Sequence, residues 1–360
     1  MLQDLNPTRR YLILVMLVAA LAVFLVGGFV LLQNMQQYKV LMTITAIVWG
    51  LGSVSLLFFV LNSIAQSMPR KIRSVAVAIV FAGPATALLI WALVLPTFRS
   101  LRLSFLGPNA REFVFLRNYQ FAFTDPIMLQ AFRNNLLWMV FGTLICVILG
   151  IIIAVLADKS RHEKLFKSLI FMPMAISFVG AGVIWRFIYA YKGEGVSISE
   201  IGLLNAIVTS LGGTAQPWLL VPFWNNFFLI AIMVWLQTGY AMVILSSAIK
   251  AIPESINEAA RVDGANAFKI FFRITIPSVM PTIITVATTI LIFSLKLFDI
   301  VRVMTGGNFG TNVIANEFYL QQFTYGHSGR ASAIAIVLLV VIVPVLAYNL
   351  KQFRGRTTLR

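Results

Sequence analysis

Long apolar runs alternate with short polar segments along most of this chain. A bilayer core about 30 Å thick needs roughly 20 apolar residues in a helix. Eight runs reach that length, at about residues 11–32, 40–61, 74–95, 136–157, 169–190, 227–249, 282–300 and 331–350. The first is too long for the core of a secretory signal and another run follows at once, so it reads as a helix. The pattern predicts an all-α integral membrane protein with about eight transmembrane helices. A Gln-rich turn (Gln33, Gln36, Gln37) joins the first two runs. Residues 1–73 therefore read as an N-terminal two-helix extension, 74–350 as a six-helix unit, and 351–360 as a basic tail. Two longer polar segments, 96–135 and 191–226, interrupt the unit, and neither is large enough for a core of its own.

Composition supports the membrane reading. Hydrophobic residues make up 59% of the 360 and charged residues 11%, whereas soluble domains have about a quarter charged. The net charge of +16 is a usual cue for nucleic acid. Here the cations sit in short loops between apolar runs rather than on one face, so no nucleic-acid partner is expected. Their distribution sets orientation. With a cytoplasmic N-terminus, inner segments hold 17 Lys and Arg and outer segments nine; Arg186 and Lys296 lie within runs, completing the 28. Both termini are expected inside. The outer segment at 96–135 dissents with five arginines, Arg99, Arg102, Arg111, Arg117 and Arg133; longer segments cross with less regard to charge. Cys146 is the single cysteine and lies in an apolar run, so neither a disulfide nor a thiol metal site is expected. His162 and Glu163 are flanked by lysines and read as a solvated loop.

One polar insert, residues 250–280 between the sixth and seventh runs, carries helix grammar. Pro253 suits a first helical turn, and Ser255-x-x-Glu258 fits a capping box. A short helix over Glu254–Val262 would stop at Gly264, which tolerates a left-handed turn. Asn266 is placed to cap a second short helix through Phe268, Phe271 and Phe272. Pro277 should block simple continuation, with Pro281 opening the next span. Three phenylalanines on a loop need a membrane face or a protein partner. An ordinary amphipathic interfacial helix fits the same spacing.

Glu258-Ala259-Ala260, then Asp263-Gly264-Ala265, Phe268 and Ile274-x-x-Pro277 resemble the EAA loop of the permease subunits of ABC importers. In that family this cytoplasmic loop is a coupling helix that docks on the ATPase. The resemblance implies that Glu258, Ala259, Ala260, Asp263, Gly264, Ala265 and Phe268 couple to it. It also implies a second permease subunit, an ATPase dimer, an extracytoplasmic solute-binding protein, and a bacterial plasma membrane. The chain has no Gly-rich lysine loop for ATP, so ATP and Mg²⁺ would bind the partner ATPase, with no cofactor, metal or catalytic residue on this chain. The lead-in Ala251-Ile-Pro253 and the later Thr305-Gly306-Gly307, followed here by Asn308 instead of the usual Pro, are similar to those of carbohydrate permeases. Two extra N-terminal spans resemble the larger, maltose-permease-like subunit. In detail the chain looks most like the alpha-glucoside and glucosylglycerol branch. The implied function is half of an alternating-access pathway for a sugar or a sugar-derived osmolyte.

Candidate substrate contacts flank the loop. Met233, Leu236, Gln237 and Tyr240 share one helical face on the sixth run, and the resemblance matches them to a sugar site. Gln237 equally suits a helix–helix bond. Thr289, Phe293, Lys296 and Asp299 continue at helical spacing on the seventh. A lysine inside a span needs a partner or a wet cavity, so Lys296 either pairs with Asp299 or meets substrate. Arg186, beside Trp185, reads as snorkelling to the interface. The competing readings are an ABC permease for a non-sugar solute and an ion-gradient-driven secondary transporter, the latter disfavoured because no carboxylate lies deep in a run.

Overall fold

The structure is a computed structural model that describes residues 7–35, 37–193 and 202–357; Gln36 of the Gln-rich turn and Arg360 of the tail lie outside these. Among the described residues it is all helix apart from turns, loops and one isolated bridge between Leu106 and Phe113. The chain divides into two compact units, residues 1–99 and 100–360.

The first unit holds α1 (Pro7–Asn34), α2 (Lys39–Ser67) and α3 (Arg70–Leu89). The helix of α3 runs on through a π turn at Ile90–Val94 into α4 (Leu95–Leu103). Helices that are apolar all round and uncovered by their own chain are built for lipid or for other helices. The apolar windows of α1, α2 and the α3–α4 run are 0, 6 and 0% buried, against 67% in the most buried helix of the second unit.

The second unit continues with α5 (Arg117–Thr124), α6 (Pro126–Leu137) and α7 (Thr143–Asp158); then come α8 (Glu163–Phe171), α9 (Phe178–Ile188), α10 (Leu203–Ser210) and α11 (Trp224–Lys250). After these follow α12 (Glu254–Val262), α13 (Ala267–Ile270), α14 (Ile276–Leu295), α15 (Asp299–Met304), α16 (Ile314–Tyr319) and α17 (Ser328–Thr357). Its core sits where α7, α11 and α14 meet, around Trp138, Leu229, Met233, Leu236, Leu245 and Ile290. Glycines let these backbones approach. A Cβ on Gly150 would lie 2.6 Å from the Ala241 Cβ, and one on Gly239 would lie 2.6 Å from the Ile170 carbonyl oxygen of α8.

Among the described residues, six helices are long and apolar enough to span on their own, and a bent pair makes a seventh if its halves act as one. The expected straight helix at 169–190 is that pair. It bends by 103° between α8 and α9, because Pro173 starts a tight 3-10 turn and Ile176 and Ser177 are extended. The Ser177 Oγ accepts from the Gly180 N–H and starts α9 afresh. The last apolar stretch, Ser328–Pro344 within α17, is shorter than the six.

Three other boundaries differ from expectation. The helix expected from residue 136 starts at Pro126, capped by Asp125; its added turns carry Asn134 and Asn135, which a hydrophobic pattern passes over. Pro277 does not break the chain. A π turn at Phe271–Thr275, in which the Ile276 N–H bonds back to the Phe271 carbonyl, widens the helix just before the ring. Ala267–Leu295 is consequently one continuous helix of 29 residues. At its far end α14 stops at Leu295, five residues before the expected 300. Lys296 leaves helical geometry at ψ 3°, and Phe298 is at φ −131°.

Candidate functional site

The insert folds as two short helices hinged at one glycine. α12 spans Glu254–Val262 as the sequence predicts, but its N-cap is Pro253 with no side-chain cap bond. The capping box does not form, because the helix has already begun when Ser255 is reached. The C-terminus is a Schellman turn: the Ala265 N–H bonds the Ala260 carbonyl at 2.9 Å and the Gly264 N–H bonds that of Arg261 at 3.0 Å. Gly264 takes φ +76°, with open space where a side chain would be. Asn266 then caps α13, its Oδ1 accepting from the Lys269 N–H at 2.9 Å.

This geometry sorts the insert into two faces. Outward lie Glu258, Ala259, Asp263, Val262 and Phe268, the last two 87% and 70% exposed. Phe268 stacks near Phe272 at 4.6 Å between ring centroids. Ala260 and Ala265 are half-buried. The inner side borders a cavity of about 450 Å³, lined in part by Asp158, Lys159, Ile249, Asn257, Arg261 and Phe271.

A charge network beside the insert corrects the reading of Glu163 as merely solvated. Lys167 bonds Asp158 at 2.5 Å and Glu163 at 2.6 Å, and Lys250 bonds Glu163 at 2.5 Å. The Ser246 hydroxyl donates to Asp158 at 2.7 Å and also contacts Lys167. The ends of α7, α8 and α11 are thereby tied together just ahead of α12. The 163/167 pair, four residues apart, was the sequence signal; the partners from α7 and α11 had none.

The face proposed for substrate is mostly packed within the chain. Met233, Leu236 and Gln237 are 0, 2 and 5% exposed, while Tyr240 is half-buried. The Gln237 Oε1 is buried without a hydrogen-bond partner among the described residues. On α14, Thr289 donates to the Thr285 carbonyl at 2.9 Å, and Phe293 is 46% exposed. Lys296 and Asp299 are not joined by a salt bridge among the described residues, and helical spacing does not relate them, because the helix ends between Phe293 and Lys296. An apolar groove of about 500 Å³, bordered by Leu149, Leu169, Val234 and Trp235, contains none of the proposed contacts.

Sequence reasoning also missed a buried set of amides. Asn134 donates to the Gly310 and Asn312 carbonyls, both at 2.8 Å. Asn135 donates to the Leu295 carbonyl at 3.2 Å and accepts from the Ile314 N–H at 2.9 Å. Glu317, 2% exposed, accepts from Asn312 at 2.7 Å and Gln321 at 2.8 Å. The turn Thr305-Gly306-Gly307 belongs to this knot. Its glycines have φ +66° and +90°, and a Cβ on Gly307 would meet Asn316 at 2.4 Å. These amides fasten the end of α6 to the ends of α14 and α16.

Three comparisons bear on this arrangement. The family model described as "Binding-protein-dependent transport system inner membrane component" matches residues 146–354. The osmoprotective compounds uptake permease protein GgtC of Synechocystis sp. is 56% identical over 280 residues, covering 78% of this chain and 100% of that protein. The alpha-glucoside transport system permease protein AglF of Rhizobium meliloti is 47% identical over 273 residues, 76% of this chain and 81% of the relative. Among solved structures, a chain of a bacterial alginate ABC transporter in complex with alginate pentasaccharide-bound periplasmic protein has a similar fold. Its TM-score is 0.66 at 20% identity, covering 78% of this chain and 94% of that one.

Proposed function

The chain belongs to the family of binding-protein-dependent transport system inner membrane components, and on that premise we propose that it forms half of the path of an ATP-driven importer for a sugar or sugar-derived osmolyte. It is a transport permease subunit and not an enzyme. The observation that carries the coupling role is the α12–Gly264–α13 hinge, which turns apolar Val262 and Phe268 outward on a loop that follows the joined ends of α7, α8 and α11. Exposed phenylalanine on a polar loop calls for a membrane face or a protein partner, and an ATPase dimer supplies the latter. Glu258, Ala259, Ala260, Asp263, Gly264, Ala265 and Phe268 form the docking surface, with ATP and Mg²⁺ held by the ATPase. A second permease subunit, an extracytoplasmic binding protein and eight spans complete the reading. In it, the bent pair and α17 supply the last two spans, residues 1–73 are an added helix pair, and both termini lie in the cytoplasm.

The names of the relatives favour a glucoside or osmoprotectant cargo. Gln237 supports a binding role on this chain: an unpartnered buried amide oxygen costs free energy, and a sugar hydroxyl would satisfy it when the path opens. Met233, Leu236, Tyr240, Thr289 and Phe293 share that path. Lys296 reaches either Asp299 or the cargo in another state of the cycle.

Uptake of labelled glucosylglycerol and alpha-glucosides into proteoliposomes holding the whole complex tests the reading. We expect uptake that needs ATP and binding protein and survives a protonophore. Gly264→Val should remove ATPase from the purified complex, and Tyr240→Ala should lower uptake with assembly intact. Protonophore-sensitive uptake without ATP would instead make the chain a secondary transporter. Normal ATPase retention in Gly264→Val would refute the docking assignment.

A further inference from the structure

Two arginines that the orientation count left without a role meet at one cavity. Arg117 opens α5 and Arg330 lies in the first turn of α17, and both line a space of about 170 Å³ with Asn118, His327, Gly107 and Pro108. The junction is close-packed. A Cβ on Gly329 would lie 1.9 Å from the Leu106 carbonyl oxygen, and Asn118 donates to the Ser104 and Leu106 carbonyls at 2.8 Å each. Arg330 is fixed over the Phe121 ring at 4.2 Å. No salt bridge to either arginine occurs among the described residues, and Glu112 on the same loop, exposed, pairs with neither. The His327 Nδ1 is buried with no hydrogen-bond partner among the described residues.

Both arginines stand at the positive end of a helix, where a cation is disfavoured and an anion is favoured. Two cations, an unpartnered imidazole nitrogen and two helix starts together make a site that lacks its counter-charge. We propose that this cavity binds a phosphate group, supplied by a phospholipid headgroup of the leaflet on the side of the α4–α5 connection. The lipid source follows from the loop leading into Arg117, where Phe113, Phe115 and Leu116 are 68, 64 and 52% exposed. An exposed apolar loop in the same segment as the arginine is suited to acyl chains of a lipid whose headgroup is bound. The site lies at the end of the α6–α7 span remote from α12, since Asp158 at the other end borders the cavity beneath the insert.

Native mass spectrometry of the detergent-purified complex provides the test, with three probes: short-chain phosphatidylglycerol, the matching diacylglycerol without phosphate, and inorganic phosphate. Phosphatidylglycerol should bind at least about tenfold more tightly than diacylglycerol, and Arg117→Gln with Arg330→Gln should erase that preference. Should the double variant not assemble, Arg117→Gln alone, at an exposed position, should reduce it several-fold. Binding of inorganic phosphate that the same variants abolish, without preference for the phospholipid, would keep the phosphate site and overturn its lipid source. Equal binding of the two lipids with no phosphate binding, or a preference that survives in the variants, overturns the proposal. So does a variant whose only defect is weaker capture of the binding protein, which would make the arginines a protein contact.

Discussion

Gly239 shows how much one missing methyl group decides. It faces Ile170 and Phe171 across the α8–α11 contact, and a Cβ there would lie 2.6 and 2.7 Å from their backbone atoms. Backbone cannot rotate aside as a side chain can, so Gly239→Ala should cost about 1–3 kcal/mol through overpacking. The expected result is a lower melting temperature of the purified complex, with α8 displaced; an unchanged melting temperature would mean the two helices have slack. Gly142 is a control of the opposite kind, since the close approach of its Cβ would be to the flexible end of Met233, with Ile230 at an ordinary 3.8 Å. Gly264 differs from both. No neighbour crowds it, and a β-branched residue there would be penalised by its left-handed φ alone, about 1–2 kcal/mol. The sequence marked Gly264 through its place between two helical patterns. Gly239 carried no mark, because a glycine inside an apolar run looks the same whether it faces lipid or a carbonyl.

At the scale of elements, apolar length was legible and its interruptions were not. Runs of about 20 apolar residues located the long helices because lipid imposes that length on any spanning helix. The break at Ile176–Ser177 lies inside such a run, and only Pro173 hinted at it. At Pro277 the error ran the other way: proline signals a stop, but a π turn before it absorbed the missing donor. Asn134 and Asn135 sat just outside the apolar window that would have drawn attention to them. The charge network shows the limit of loops read by composition, since four charges from three helices looked like separate solvated residues. Its prediction follows from that joining. Lys167→Met leaves Asp158, whose side chain is 13% exposed, without its nearer cation and with only Lys250 at 3.9 Å, which should cost roughly 2 kcal/mol. Adding Asp158→Asn should recover part of the loss, and ATPase retention should follow stability in both variants. Strict additivity of the two substitutions would show that the groups do not interact.

For the whole molecule, the useful consequence is mechanical. The 29-residue helix from Ala267 to Leu295 is about 43 Å long at 1.5 Å per residue. It begins one residue after the Asn266 cap, beside the proposed docking surface, and it ends where Asn135 holds the Leu295 carbonyl. A rod of that length, tilted by about 5° at the end proposed to meet the ATPase, sweeps its far tip through ~4 Å. That is more than a hydrogen bond can stretch. Spin labels at residue 268 and near residue 295 should therefore keep a constant separation through the ATP cycle, while the distance from 295 to a label on α6 changes by several ångströms. A separation that shortens along the helix itself would place the flexure at the π turn. With a stiff rod and the proposed docking at residue 268, a small rotation imposed by ATP on one side of the bilayer would arrive on the other as the release or remaking of a single amide clasp.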